Sequence, residues 1–366
     1  DSSVWALWLA GSTINAFIRY LNGHDSILLH KDTFVIMLRR LEVLKQLGFK
    51  IKSMKDDKSI VSKVHSENAW FTFEFIQDAM ICWSLALSEE NLTKWIGERS
   101  YSDEVEYSKK IGIICAGNIP LVGLHDIICA YLSGNEVFFK PSSDDRVLCL
   151  EVAKAIGEID PKARIKSVEK LNGMDAIIAT GSNTTRRHFE YYFKDIPRLL
   201  RGARTSVSVL TNEITVNELK LLSNDIFQYF GRGCRSVTHL FLPKDFDIQR
   251  LFESWIYWSH IGMHNKYASN YDYQRALLML NKVKFHENNF VILLEDAVLK
   301  PPVGIVSYSR YSDLATLNNT LENYRDEIQT VVGQGFNTAF GDSQNPQLWD
   351  YADGINNLSF CINLKD

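Results

Sequence analysis

IGIICAGNIPLVGLHDIICAYLSGNEVFFK, residues 111–140, reads as a strand, a turn, a helix and a second strand. Ile111 to Ala116 is a short continuous apolar run, as expected of a strand covered on both faces. Gly117-Asn118-Ile119-Pro120 turns the chain, Leu121 to Leu132 has helical periodicity, and Ser133-Gly134-Asn135 ends it. Glu136 to Lys140 is the second strand. Strands joined through a helix favour a parallel pair with a right-handed crossover. The alternation continues with a helix from Asp145 to Ile156 and strands near Arg164–Val168 and Asp175–Thr180. Gly181-Ser182-Asn183 then opens a helix to Phe193, and Ser206 to Leu210 is another strand. This is the grammar of an open α/β nucleotide-binding domain.

Upstream, residues 1 to about 103 read as helical. Val4 to Ile18 is apolar but broken by Gly11, Ser12, Thr13 and Asn15. It lacks a basic leader and a clear cleavage site, and is too short and polar to span a bilayer. It reads as an amphipathic helix, and a cytoplasmic location is expected. Thr33 to Leu47 is a second helix with Gly48 as its stop, Phe73 to Leu87 a third, and Ser88 caps a short fourth through Trp95. Downstream, a helix from about Glu213 through Phe230 leads to a turn at Cys234 and a strand to Leu242. Next come an aromatic helix, Asp247–His260, strands at Phe290–Leu294 and Val303–Ser307, a helix at Asp313–Glu322, and a terminal strand at Leu358–Leu364. The division is 1–212 for the helical region and cofactor-binding domain, 213–345 for an interlocked α/β catalytic domain, and 346–366 for a tail that could serve oligomerisation.

The 366 residues are 46% hydrophobic and 23% charged, with net charge −4. That is globular composition, with no basic footprint for nucleic acid and no polybasic cluster for a membrane. Six scattered cysteines without a CxxC argue for free thiols in a reducing compartment. The absence of HExxH, Walker or spaced ligand motifs predicts no metal.

Cys234, in Phe230-Gly231-Arg232-Gly233-Cys234-Arg235, follows a helix and two glycines and precedes an apolar strand. A thiol on such a turn is placed to act as a nucleophile, its pKa open to lowering by Arg232 and Arg235. The alternative is a partly buried structural thiol. Asn118, at a strand end, can donate to an oxyanion beside a backbone N–H, or simply make its turn. Lys140 and Ser142, after the second strand, can bind an adenosine ribose or its 2′-phosphate. Gly181 and Ser182, opening a helix, suit a pyrophosphate, although no GxGxxG is present. His264 can assist proton transfer, hold substrate, or be structural. Glu295 can meet a ribose or be solvated.

In this order the stretches resemble the acyl-CoA reductase family, typified by the fatty-acid reductase of bacterial luminescence, within the aldehyde dehydrogenase superfamily. The resembling segments are Cys115–Pro120, Gly123–Asp126, Phe139–Ser143, Ala179–Asn183, Arg204–Val207, Asp225–Ser236, His264–Tyr273 and Tyr351–Gly354, covering about residues 105–366. Before them, only Asn68–Thr72 carries some of the match.

The resemblance implies an aldehyde-dehydrogenase-like α/β fold, with a parallel-sheet Rossmann-type cofactor domain. It implies a Cys234 thioester formed from an acyl-CoA of the fatty acyl kind, with Asn118 and the Cys234 N–H at the oxyanion and NADPH, or alternatively NADH, as reductant. Lys140 and Ser142 would hold the adenosine end, Gly181 and Ser182 lie by the pyrophosphate, and Glu295 by the nicotinamide ribose. A homo-oligomer is expected, with the C-terminal strand pairing across an interface. One departure is chemical: hydrolytic members carry a general-base glutamate in Glu-Leu-Gly-Gly, whereas this chain has Arg201-Gly202-Ala203-Arg204. Without that base, water is activated poorly and a thioester can wait for reduction.

The competing readings are an NAD(P)-dependent aldehyde dehydrogenase working oxidatively, a non-redox acyl transferase or thioesterase at Cys234, and a non-catalytic acyl-binding subunit. The donor can be CoA, a carrier protein, an acyl phosphate or an acylated partner enzyme. Trp255, Tyr257, Trp258, Tyr267, Tyr271 and Tyr273 either line an acyl tunnel or form core; the tryptophans read as core.

Overall fold

The computed structural model describes residues 28–97 and 108–364. The helix read at Val4–Ile18 lies outside them. Four helices come first: α1 (Leu28–Met54), α2 (Lys58–Glu67), α3 (Phe73–Ala86) and α4 (Glu89–Gly97). Thr72 starts α3 by accepting a hydrogen bond from the Phe75 N–H at 3.1 Å, which satisfies one of the free donors of the first turn. A first α/β unit follows: β1 (Lys110–Ile114), α5 (Leu124–Leu132), β2 (Glu136–Lys140), α6 (Arg146–Ile159), β3 (Ile165–Ser167), β4 (Ala176–Thr180), α7 (Asn183–Tyr192) and β5 (Arg198–Arg201). The second contains β6 (Thr205–Val209), α8 (Val216–Phe227), β7 (Val237–Pro243), α9 (Gln249–Trp255), α10 (Asn265–Leu280), β8 (His286–Glu287), β9 (Ile292–Glu295), β10 (Ile305–Tyr311), α11 (Leu314–Asn323), β11 (Ile328–Val332) and α12 (Asn357–Ile362).

The first sheet is parallel, in the order β3-β2-β1-β4-β5. Its strand order reverses between β1 and β4, which opens a crevice at their carboxyl ends. The second sheet runs β11-β6-β7-β10-β9-β8, parallel except for the β8–β9 pair. Helices α1, α5 and α6 share one apolar core with β1 and β2. A second core joins α8, α9 and β7. Helix α3 serves both, burying Ile76 and Met80 in the first and Phe75 and Ala79 in the second.

The structure corrects five expectations. Gly48 does not stop its helix: α1 runs on to Met54, and a Cβ at Gly48 would stand 3.0 Å from the Leu87 Cβ. That glycine lets α1 approach the end of α3 closely, while Ile51 and Met54 continue the buried face. The strand β6, read with the first unit, pairs in the second sheet with β7 and β11. Arg198–Arg201, where no element is expected above, is the edge strand β5. The helix expected through Phe230 ends at Phe227.

The fifth correction is at the C-terminus, where the expected strand is the helix α12, and the pairing of a C-terminal strand between subunits falls with it. Asn356 caps the helix through the Ser359 N–H at 2.9 Å. Leu358 and Cys361 enter the first core, and the Asn135 amide donates to the Cys361 carbonyl at 2.8 Å. Asn357 is fully buried; it donates to Asp126 Oδ1 at 2.7 Å and to His125 Nδ1 at 3.0 Å, and accepts from Cys129 Sγ at 3.3 Å. Replacing Asn357 with Ala leaves these groups unmatched. A loss of about 1–3 kcal/mol in denaturant unfolding is expected, and an unchanged midpoint would show that α12 is not a latch.

Candidate active site

The chain passes from β5 to β6 through only Gly202, Ala203 and Arg204. Because that link is so short, the carboxyl end of β5 in the first sheet lies beside the amino end of β6 in the second. Cys234 lies in the turn before β7, at the amino edge of that second sheet, and Ser206 of β6 donates its hydroxyl to the Cys234 carbonyl at 3.0 Å. On the other side the Asn118 amide, in the loop after β1, donates to the Arg232 carbonyl at 2.7 Å. The two stretches singled out in the sequence are therefore in direct contact.

The cysteine turn is built on strain. Tyr229, Phe230 and Gly231 all take left-handed backbone, with φ of 55°, 56° and 68°. Two bulky residues in that region cost about 1–3 kcal/mol each and persist only where the surroundings impose them. The surroundings here are aromatic. Phe230 packs on Phe75 at 5.0 Å, Trp70 at 5.4 Å and His264 at 4.5 Å, and Tyr229 packs on Phe75 at 5.2 Å. Polar ties finish the turn: the Gly233 N–H and the Gln344 amide both donate to Ser236 Oγ, at 3.1 and 3.2 Å.

The half-buried Cys234 opens on a cavity of about 160 Å3. Ala79, Trp83 and Ala86 of α3 form its apolar wall, opposite Ile119, Pro120 and Leu348. Its polar end holds Cys234, Arg235 and Arg201. Arg201, 5% exposed, grips both oxygens of Asp126, at 2.9 and 2.8 Å. His125, also in the wall, donates from Nε2 to the Leu348 carbonyl at 2.9 Å and accepts from Asn357 at Nδ1. Burial holds its pKa below the usual imidazole value, so it stays neutral.

Burial also raises the Cys234 pKa, against the opposing pull of Arg235, Lys300 and Arg201. This corrects the expectation of a lowered value. Arg235 does act, but Arg232 is turned away, with its guanidinium 4.6 Å over the Trp70 ring. Cys82 also lines the cavity, yet it donates to Asn345 Oδ1 at 2.8 Å, and burial pushes its thiol up to about 11.

The proposed cofactor residues gather at the carboxyl edge of the first sheet. Lys140 ends β2, exposed, and its carbonyl accepts from the Cys115 N–H at 3.1 Å. Gly117 lies against Ser142 so closely that a Cβ would overlap the hydroxyl. Gly181 follows β4 and donates to the Arg201 carbonyl at 3.2 Å. Ser182 caps α7, accepting from the Thr185 N–H at 3.1 Å. An exposed lysine, a serine packed on Gly117 and a helix N-terminus at the reversal point of a parallel sheet fit a phosphate-bearing dinucleotide.

Two candidates fall elsewhere. Glu295 ends β9 and is in register with Tyr308, which pairs with Leu240. It thus sits level with the middle of β7 and β10, about 10 Å of strand past the residue at which β7 leaves the Cys234 turn. The β9–β10 connection must return to the amino edge before a parallel strand can start. Its end, where Leu299 accepts from the Thr238 hydroxyl at 2.6 Å, brings Lys300 into electrostatic reach of Cys234. Strand direction was the signal that would have favoured Lys300 over Glu295. His264 belongs to the aromatic clamp, donating from Nε2 to the Ala69 carbonyl at 2.8 Å and capping α10 through Nδ1. Tyr267, Tyr271, Trp255 and Trp258 are buried, whereas Tyr257 and Tyr273 are exposed.

The loop carrying Asn118 rests on Asp145, whose Oδ2 accepts from the Leu121 N–H at 2.7 Å while Oδ1 is buried without a partner. Burial pushes this carboxyl up to about 8.

Residues 88–250 match the family model described as acyl-CoA reductase (LuxC). Among solved structures, the chain is similar to aldehyde dehydrogenase 21 from Physcomitrella patens in complex with the reaction product succinate, at TM-score 0.63 and 12% identity over 89% of this chain and 84% of that one. A putative aldehyde dehydrogenase from Burkholderia cenocepacia gives TM-score 0.62 and 12% identity over 81% and 74% of the two chains. An NAD-dependent benzaldehyde dehydrogenase from Corynebacterium glutamicum gives 0.59 and 13% over 80% and 75%. No curated protein matches the chain. The structural likenesses establish the fold as that of aldehyde dehydrogenases. With the family match they bear out the resemblance to acyl-CoA reductases, and together they support an oxidoreductase acting on aldehyde or acyl groups.

Two outcomes follow from the charges. At pH 7, iodoacetamide should label Cys234 more slowly than a free cysteine, with the rate, read by peptide mass, climbing through pH 9. A plateau already reached at pH 7 would contradict the raised pKa. For Asp145, a raised folded-state pKa means that the native protein holds an extra proton between about pH 4 and 8, so its stability contribution is present at low pH and lost as pH rises through 8. Asp145→Asn should remove that decline in melting temperature between pH 5 and 8; parallel curves for variant and parent would refute it.

Proposed function

We propose that this chain, similar over residues 88–250 to acyl-CoA reductases, reduces an activated acyl group to an aldehyde through a thioester on Cys234. The observation that carries the reading is the meeting of Cys234 and the Asn118 loop at one apolar cavity. The Cys234 sulfur attacks the acyl carbonyl, the donor's thiolate leaves, and the thiol proton of Cys234 goes to that thiolate. A burial-raised thiol suits this exchange, since no net charge has to remain in the cavity. The Asn118 amide has a second N–H beyond the one given to Arg232; with the Cys234 N–H it would receive the oxyanion. The wall formed by α3 takes the start of the acyl chain. Lys140, Ser142, Gly181 and Ser182 would hold a nicotinamide dinucleotide, with Lys140 favouring NADPH. When bound, that cofactor supplies the hydride that turns the thioester into aldehyde. Cys234 then departs as thiolate, which Arg235 and Lys300 steady before it regains a proton. Glu295 and His264 have no part in this reading.

A hydrolytic oxidation is disfavoured by the cavity itself. Its two carboxylates are engaged, Asp126 by Arg201 and Asp350 by the Gln347 N–H at 2.8 Å. His125, with Nε2 on a carbonyl and Nδ1 on Asn357, is not free to take a proton from water.

The test is intact-protein mass after addition of an acyl-CoA series, with NADPH absorbance followed in parallel. An adduct on Cys234 that disappears as NADPH is consumed is expected, and Cys234→Ala should abolish both. Asn118→Ala should lower kcat by about 10²–10³ with the fold intact. An adduct indifferent to NADPH would move the protein to acyl transfer, and no adduct with any donor would make Cys234 structural.

A further inference from the structure

We infer that a second cavity, at the amino edge of the first sheet, binds a phosphate-bearing small molecule. The cavity measures about 330 Å3, twice the volume at Cys234. It is walled by Arg39 and Arg40 of α1, Tyr131 and Gly134 at the end of α5, and Asp160, Lys162 and Arg164 between α6 and β3. Asn135 and Arg164 directly precede β2 and β3. The site is therefore at the opposite end of these strands from Lys140 and Ser142.

The charges do not balance. Asp160 is spent: Oδ1 accepts from Arg39 and from the Lys162 N–H, both at 3.2 Å, and Oδ2 accepts from the Tyr131 hydroxyl at 2.9 Å. Arg164 is paired with Glu136. Arg40 and the Lys162 ammonium have no carboxylate partner among the described residues.

Arg40 is nonetheless held in place. Its guanidinium lies 5.7 Å from the centre of the Tyr131 ring. On the other side is Gly134, at φ +94°, where a Cβ would come within 2.6 Å of Nη1. Burial lowers the pKa of this half-buried cation; the Asp160 charge works against that, while Arg39 and Arg164 add to it. A cation partly withdrawn from water, whose nearest carboxylate, Asp160, is bonded to other groups, leaves room for an anionic partner. A planar fork fixed by a ring and a glycine, flanked by further cations, matches the oxygens of a phosphate. A cavity of about 150 Å3 takes a benzene ring, so this one has room for a phosphate and a sugar-sized group.

The test is calorimetric titration of the full chain with inorganic phosphate, pyrophosphate and ribose 5-phosphate, with ribose as the uncharged control. Ribose 5-phosphate binding more tightly than phosphate would identify an ester; equal binding would identify free phosphate as the ligand. Arg40→Gln should weaken either by about tenfold or more, and Lys162→Ala should weaken it less, both variants keeping the parent melting temperature without ligand. Lys220→Ala, exposed on α8 and outside both sites, should leave the affinity unchanged. No heat with any of the three anions at millimolar concentration overturns the inference, as does binding that survives both the Arg40 and Lys162 substitutions. Neither result bears on the chemistry at Cys234.

Discussion

Three residues, Gly202, Ala203 and Arg204, impose the arrangement on which the rest depends. A link that short leaves no room for a crossover. The second sheet must begin where the first one ends, and the loops of one and the turns of the other share a seam. The seam is held from both sides. The Ala203 N–H is taken by Asn183 Oδ1 at 3.0 Å, and Arg204 pairs with Asp353 at 3.1 Å. The groups around the Cys234 cavity sit on it: the Asn118 loop, the Arg201–Asp126 pair, and the turn that carries Cys234.

The helical N-terminal region is not merely a layer beside a sheet. Phe75 and Trp70 press on the left-handed Tyr229-Phe230 pair, while Trp83 and Ala79 of the same helix wall the cavity. One helix thus offsets the strain of the Cys234 turn and shapes the space in front of it. His264 and Tyr267 take part in the same clamp, which is why a polar, aromatic stretch turned out to be structural support.

Much of this was legible in the residues. The strand–helix–strand unit at 111–140 and the helix opened by Ser182 follow from unbroken periodicity and from caps. The juxtaposition of Asn118 and Cys234 was expected through the family resemblance. What was not legible depends on tertiary context. Nothing local marks Tyr229 and Phe230 for left-handed backbone, since bulky side chains avoid it and only the packed rings enforce it. Asn357–Ile362 is a short segment with four apolar residues, Leu358, Phe360, Cys361 and Ile362, of the kind that reads equally as strand or helix; the Asn356 cap and the buried Asn357 amide decide for helix. Glu295 was chosen by its place in the sequence, whereas the parallel direction of β9 and β10 puts Lys300 at the seam instead.

The route of the chain carries a mechanical implication. It leaves the first sheet at Gly202, completes the second, and comes back to dock α12 on α5, with Asn357 bonded to Asp126 and, through it, to Arg201 at the point of departure. The two halves are thus joined twice, and the joints meet at one buried knot of side chains. A body pinned at two neighbouring points keeps little freedom to swing and almost none to slide. Access to the cleft must then come from bending of the loops around it rather than from the lobes parting.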